Sequence, residues 1–252
     1  MPKINVYLSD ELAAAVKEAG VPVSPVCQQA LATAVSKANL ARRTITLIRD
    51  PGFDPAAWPQ VSTLLEGLMT ARLVEALGLA RAAAGAGPVG TVALARGILS
   101  HAENLGVRLL RTLDVDTDDL AVQLERADPS DGDAAAAASA EAPGPDGAAL
   151  TGLTRPAWLA IGTAVETAVG MGHNYIGCEH IVIGLLDGAD GTAGPVLRAA
   201  GADPAAGRKT LTGMLSGYVH GRNTTMAAGS DIMRQVLARL DTLESRVASL
   251  SE

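Results

Sequence analysis

The hydrophobic pattern at the start of the chain predicts one short strand followed by two helices. Apolar and polar residues alternate from Lys3 to Leu8, as in a strand with one buried face. A helical period follows, with Ser9 or Asp10 as its cap and Gly20 as its end, and a second helix is expected to begin at Ser24. One strand and two helices in about 40 residues cannot enclose a core, so we expect this segment to pair with a second copy.

Two later stretches repeat the same helical pattern. GTVALARGIL from Gly90 aligns with GCEHIVIGLL from Gly177, an offset of 87 residues (177 − 90). Leu110 and Leu197 are separated by the same offset. Thr70 and Thr154 differ by 84 (154 − 70), so the first copy is three residues shorter before its helix. We expect copies at 61–126 and 150–220, joined by a mobile insertion at 127–149 that has little to bury.

The segments outside the copies are a connector and a tail. Residues 44–60 include three prolines and are expected to form a linker. Residues 221–252 begin with a polar stretch and end in a predicted helix. Its apolar residues are spaced 4, 3, 4 and 3 apart, at Val236, Leu240, Leu243, Val247 and Leu250. This spacing fits a short coiled coil, and it fits equally a helix that lies back on its own domain.

Composition favours an all-helical core and limits the partners. Of the 252 residues, 48% are hydrophobic and only 2% aromatic, so the core must be aliphatic and alanine-rich. The net charge of −7 makes a general nucleic-acid binder improbable, and any DNA contact must come from a local patch that a dimer presents twice. Two cysteines cannot form a disulfide framework, and the sequence has neither a signal peptide nor a long apolar run. We expect a cytoplasmic protein without membrane contact.

Candidate catalytic and metal-binding patterns are weak. His173, Cys178, Glu179 and His180 lie close together, but their spacing fits neither HExxH nor paired CxxC motifs. GADPAAGRKT from Gly201 departs from a phosphate loop, because Arg208 intrudes and no strand precedes it. We therefore predict no catalytic residue, no metal, no cofactor and no enzymatic activity.

The stretch from Gly172 to Leu186, GHNYIGCEHIVIGLL, resembles the second repeat in the amino-terminal domain of Clp ATPases, particularly ClpC, with its usual GHNYIGTEHILLGL. The resemblance extends from about Leu153 to Tyr218. It implies a mainly α fold of two tandem four-helix repeats across 61–220, without the ATPase modules. The first copy departs from the pattern, because Val92 stands where the second copy has Glu179.

Residues 1–43 resemble the ribbon-helix-helix repressors and antitoxins. This resemblance implies a homodimer whose paired strands enter the major groove of DNA. Lys3, Asn5 and Tyr7 would then reach base edges, and the helix start at Ser24 would hold a phosphate. The alternative is a strand that only dimerises the chain or adds to another edge.

The Clp resemblance also implies a ligand. The amino-terminal domain of this family docks adaptors and substrates, and in some members it takes phosphorylated arginine or cyclic peptide antibiotics. The family's phosphoarginine residues fall on Thr154 and Glu179, while Leu153 and Trp158 would hold an apolar ligand instead. The alternative is that Glu179 only caps its helix.

Two functions remain open from the sequence. One is a DNA-binding autoregulator whose Clp-like domain binds a peptide, an adaptor or an antibiotic. The other is an adaptor or decoy of the ClpC protease machinery, in which the N-terminal segment only dimerises.

Overall fold

The computed structural model describes residues 5–128 and 149–215. Within these ranges the chain is helical and contains no β-strand, which confirms the predicted mainly α fold. Lys3, most of the predicted insertion and the predicted C-terminal helix lie outside the described residues. The helices are α1 Asp10–Glu18, α2 Val23–Arg49, α3 Pro59–Glu66, α4 Ala71–Ala84, α5 Thr91–Leu99, α6 Leu105–Thr112, α7 Thr117–Arg126, α8 Arg155–Gly170, α9 Cys178–Asp187, α10 Ala193–Ala199 and α11 204–215.

Helices α4–α7 and α8–α11 form the two copies, and equivalent residues cap equivalent helices. The hydroxyls of Thr70 and Thr154 accept hydrogen bonds from backbone amides three residues further on, at the starts of α4 and α8. Asp116 and Asp203 do the same at the starts of α7 and α11. Equivalent positions of the two predicted copies therefore carry equivalent caps.

The first two helices of each copy cross with their backbones almost in contact. A Cβ on Gly184 of α9 would overlap the carbonyl oxygen of Ala160 in α8. Gly97 of α5 has the same relation to Ala76 in α4. Only glycine permits so close a crossing. These pairs lie in the aliphatic core that the two copies share.

The loops that precede these helices pair across the copies. Met69, just before α4, forms a parallel bridge with Ile176, just before α9. Val89, before α5, forms the equivalent bridge with Leu153, before α8. Each copy therefore completes the backbone hydrogen bonds of the other, and the two copies form one unit.

The N-terminal segment differs from the prediction in two ways. Residues 5–8 form neither a strand nor a helix, and α2 begins at Val23 with Pro22 at the cap position, so Ser24 is not the cap. In addition, α2 continues to Arg49 and includes the first residues of the predicted linker. Its β-branched residues are weak helix formers, and burial of Thr44, Ile45 and Ile48 stabilises the helix instead.

The last turns of α2 form a joint with α8. Ile48 is fully buried and packs on Gly162, where a Cβ would meet the Ile48 side chain at 3.1 Å. Arg49 forms an ion pair with Glu166 at 2.5 Å. Beyond the helix end, Phe53 contacts the Trp158 ring edge-on at a centroid distance of 5.4 Å. We call this contact the α2–α8 joint.

Within the described ranges, no helix is both long and apolar enough to cross a membrane.

Candidate ligand site and apolar N-terminal surface

The start of α9 is closed by the side chain of Glu179. Gly177 occupies the cap position, and a Cβ there would overlap the Glu179 carboxyl group, which folds back over the glycine. Glu179 is only 2% exposed. One of its carboxyl oxygens, Oε1, has no hydrogen-bond partner. The helix start therefore holds a carboxyl group whose hydrogen-bonding capacity is incompletely satisfied.

Burial raises the pKa of Glu179, while its own backbone amide and a hydrogen bond from the Tyr175 hydroxyl oppose that rise. Oε1 lies 3.3 Å from Nδ1 of His180, but the two do not form an ion pair. Nδ1 of His180 already accepts a hydrogen bond from the Gly177 amide, so it carries no proton to donate. Tyr175 therefore provides the partner that covers this carboxylate.

Two histidines fix the loop 172–177 onto α9. Because the Gly177 amide donates to Nδ1 of His180, the proton of that ring is on Nε2, which donates to Nδ1 of His173 at 2.9 Å. Burial and the neighbouring His173 lower the pKa of His180 to about 3. Burial also lowers the pKa of His173, whose ring stacks on Tyr175 at 5.3 Å. The neutral pair has a structural role.

The neighbouring thiol has no free thiolate to offer a metal. Cys178 is buried, and burial together with Glu179 raises its pKa to about 12. Among the described residues, no group of three or more His, Cys, Asp or Glu side chains could hold a metal ion.

Thr154 and Glu179 do not form one site. Gly184 contacts Ala160, and α8 and α9 run antiparallel because residues 171–177 join them. Thr154 therefore lies at one end of the helix pair and Glu179 at the other, ~16 Å apart at 1.5 Å per residue. The family resemblance pointed to both residues, but the sequence did not indicate the direction of the helices.

The threonine that adjoins the start of α9 is Thr70, from the first copy. Its amide donates to the carbonyl of Ile176 at 2.9 Å, and the amide of Ile176 donates to Leu68 at 2.7 Å. Arg72 lies close enough that its charge lowers the pKa of Cys178 against the effect of burial. Thr154 instead adjoins Val89 at the start of α5. The repeat offset identified Thr70 as an opening threonine, but nothing in the sequence indicated that it pairs with the other copy.

The predicted apolar ligand residues are largely buried. Trp158 is 2% exposed and is covered by Phe53 in the α2–α8 joint. Leu153 is partly buried in its bridge with Val89. An apolar cavity of about 270 Å³ lies elsewhere, between α2, the second half of α8 and the loop 172–177. Its lining includes Ala34, Val35, Ala38, Val165, Val169 and His173.

Residues 5–35, which we call the apolar N-terminal surface, expose many large apolar side chains. None of the residues of α1 is buried. Tyr7 is 92% exposed, and Asn5 beside it is also exposed. The exposed apolar residues are Val6, Leu8, Leu12, Val21, Val23, Val26, Leu31 and Val35. Exposed large apolar side chains in such number are typical of a region that binds another protein.

Comparison with known proteins agrees with this architecture. Residues 152–247 match the model of the Clp repeat (R) N-terminal domain, which covers the second copy and continues beyond the described residues. Residues 152–247 are therefore similar to a Clp repeat N-terminal domain, in agreement with the resemblance read from the sequence.

The similar proteins are distant and much longer. The chain is 27% identical over 144 residues to chloroplastic chaperone protein ClpC2 of Oryza sativa, an alignment that covers 57% of this chain and 14% of that protein. It is 27% identical over 142 residues to chloroplastic ClpC of Pisum sativum, covering 56% and 14%. It is 26% identical over 164 residues to chloroplastic ClpC2 of Arabidopsis thaliana, covering 65% and 15%. The alignments thus span about one-seventh of the length of these relatives.

Proposed function

We propose that the protein is a non-enzymatic, cytoplasmic receptor that binds a peptide-like ligand, an adaptor or a cyclic peptide antibiotic, and that it regulates its own gene as a DNA-binding homodimer. The observation that carries this proposal is the continuity of α2. This helix begins in the apolar N-terminal surface and ends at the α2–α8 joint, so one rigid element connects the two functions.

Dimerisation through residues 1–38 accounts for the exposed apolar side chains. A second copy would cover Leu12 and Leu31, and it would supply a partner strand for residues 5–8. Light scattering on the full chain tests this step. The parent should be a dimer at micromolar concentration, and Leu31→Asp should be a monomer. Val122→Asp, at a similarly exposed position of α7, is the control and should remain dimeric. A monomeric parent would refute the step.

The paired strands would present Lys3, Asn5 and Tyr7 to the major groove. Asn5 and Tyr7 are exposed, and α2 begins without a side-chain cap, which leaves amides near Ser24 for a DNA phosphate. A mobility-shift assay with the DNA upstream of the gene tests this step. Asn5→Ala and Lys3→Ala should each weaken binding by ~1–3 kcal/mol, whereas the exposed control Gln29→Ala should not. Unchanged binding in both variants would exclude the strand as the reader.

The ligand is placed at the start of α9. A guanidinium group could replace the Tyr175 hydroxyl as the partner of Glu179, while Arg72 and the amides beside Thr70 would receive a phosphate. The equivalent position of the first copy is Val92, which supplies no anion. We therefore expect one site per chain, selective for a phosphorylated arginine or a cationic peptide.

Calorimetry with an arginine-phosphate peptide tests the site, and the repeat supplies a matched pair of variants. Thr70→Ala and Thr154→Ala each remove one helix cap, with a similar expected loss of ~1 kcal/mol in stability. Of the two threonine variants, only Thr70→Ala should lower the affinity for the peptide. Glu179→Gln should abolish peptide binding. Two equivalent sites per chain, or equal effects of the two threonine variants, would contradict this placement.

The adaptor or decoy function is the alternative, and the similarity to ClpC relatives favours it. A dimer that shifts no DNA, yet competes with ClpC for an adaptor or substrate, would establish this alternative.

A further inference from the structure

The apolar cavity beside the loop 172–177 is separate from the ligand site at the start of α9. Its volume is about 270 Å³, and it is enclosed on three sides by α2, the second half of α8 and this loop. Neither Glu179 nor Thr70 lines it. The cavity opens to solvent along α2, where the lining residues Ala34 and Val35 are exposed. It is therefore a concave space that a small molecule can enter.

The lining of this cavity selects a neutral and mainly apolar ligand. Most of the lining consists of aliphatic side chains from α2 and α8, and no Asp, Glu, Lys or Arg contributes to it. His173 also lines the cavity and is neutral near pH 7, because burial lowers its pKa. A charged ligand would lose its hydration there without gaining an ion pair.

The volume of the cavity sets the size of the ligand. A cavity of roughly 150 Å³ accommodates benzene. The volume of about 270 Å³ found here therefore corresponds to a molecule of two fused rings.

The ring of His173 supplies a hydrogen-bond donor at this cavity. Nδ1 of His173 accepts from Nε2 of His180, so the neutral His173 ring carries its own proton on Nε2. Within the described ranges, no residue accepts a hydrogen bond from this Nε2. The ring also stacks on Tyr175, which restricts its orientation. An apolar lining with one positioned donor is typical of a small-molecule site.

We propose that the cavity binds a neutral molecule of about two fused rings with one acceptor oxygen, and that Nε2 of His173 donates to this oxygen. The rings lie between Ala38 of α2 and Val169 of α8, which line the cavity from its two helical walls. Because the ligand is uncharged, this site is independent of the arginine-phosphate site proposed at Glu179. Either site can fail its test without the other.

Equilibrium dialysis of the full chain against two neutral probes tests the proposal. Acetylnaphthalene carries the acceptor oxygen, and the isopropenylnaphthalene substituted at the same ring position has a methylene group in place of that oxygen. Both should bind saturably at one site per chain. The ketone should bind about fivefold more tightly, as one additional hydrogen bond predicts.

His173→Phe keeps an aromatic ring and removes the donor. This variant should abolish the preference for the ketone over the hydrocarbon. A purely structural effect of the substitution would instead lower both affinities and keep the preference, so the ratio of the two affinities separates the two cases.

Two variants fill the cavity from opposite walls. Ala38→Phe and Val169→Trp should each weaken the binding of both probes by about tenfold or more, because the added ring occupies the space of the ligand. Ala32→Phe is the matched control, since Ala32 is exposed on α2 and does not line the cavity, and it should bind both probes as the parent does. Circular dichroism identifies a variant that fails to fold, and the filler on the other wall then decides.

Four results would overturn the proposal. The first is the absence of saturable binding of both probes to the parent. The second is parental affinity in both filled variants, which would place the probes elsewhere. The third is a preference for the ketone that survives in His173→Phe. The fourth is probe binding that disappears as the protein concentration rises, which would show that a second copy of the chain covers the cavity.

Discussion

Gly184 in α9 lies directly on the carbonyl oxygen of Ala160 in α8. A methyl group at this position would force the two helices apart, and over-packing of this kind costs ~1–3 kcal/mol or more. We expect Gly184→Ala to lower the free energy of unfolding by that amount, measured by urea denaturation. Gly213→Ala in α11 is the control, since a Cβ there meets nothing within 4 Å, and it should be neutral or stabilising by ~0.5–1 kcal/mol. Equal effects of the two substitutions would contradict the close crossing.

The α2–α8 joint should contribute measurably to stability. Ile48 is fully buried on Gly162, so Ile48→Ala should lower the free energy of unfolding by ~2–4 kcal/mol through lost burial and a residual cavity. Leu31→Ala provides the comparison, because Leu31 is exposed on the same helix. At protein concentrations below dimerisation, Leu31→Ala should leave the thermal midpoint unchanged. If Ile48→Ala also leaves the thermal midpoint unchanged, the α2–α8 joint does not contribute to stability.

Acid should destabilise the fold through His180. Its pKa is about 3 in the folded protein and 6.5 in the reference state, so below about pH 6.5 only the unfolded chain takes up the proton. The free energy of unfolding should therefore fall as the pH drops from about 6.5 towards 3. Between about pH 7.5 and 5, His180 alone should lower it by ~2 kcal/mol. The raised pKa of Glu179 acts in the opposite direction, since its contribution is lost as the pH rises.

His180→Gln separates the two roles of His180, which are to accept the Gly177 amide and to titrate with pH. Glutamine at this third helical position can still accept the Gly177 amide, as in a capping box, but it does not titrate. The variant loses the hydrogen bond to His173, at a cost of ~1 kcal/mol near pH 7.5, and should lose most of the acid dependence. Urea denaturation at both pH values measures this. An unchanged acid dependence would assign it to another group.

The two cysteines should differ sharply towards a thiol reagent. Cys178 is buried with a pKa raised to about 12, so it should react only when the protein unfolds. Cys27 is partly exposed on α2 and should react in the native state. Its rate should fall at concentrations that favour the dimer. Cys27→Ser identifies the fast phase, and rapid reaction in that variant would disprove the burial of Cys178.

The elements with a local signal were predictable from the sequence. Ser9 caps α1, as the helical period after it indicated, and the repeat offset paired Thr70 with Thr154, which cap equivalent helices. Such residues act through backbone groups within one turn, so their spacing is sufficient evidence. The length of α2 was not predictable, because packing against α8 stabilises its β-branched end.

The candidate site was predictable only in part, for the same reason. Glu179 stood out as the carboxylate that the first copy lacks, whereas its burial is known only from the structure. Its neighbours Thr70 and Arg72 come from the other copy, and their approach depends on a bridge between residues far apart in sequence. A pattern within one copy contains no information about that bridge.

The bridges Met69–Ile176 and Val89–Leu153 have a consequence for folding kinetics. Each bridge forms only after the intervening chain has closed into a loop, including the whole insertion between the copies. Both bridges join residues far apart in sequence and so raise the contact order, which slows folding. A nascent first copy leaving the ribosome cannot complete its own backbone pairing, and it must wait for the second copy before its native state exists.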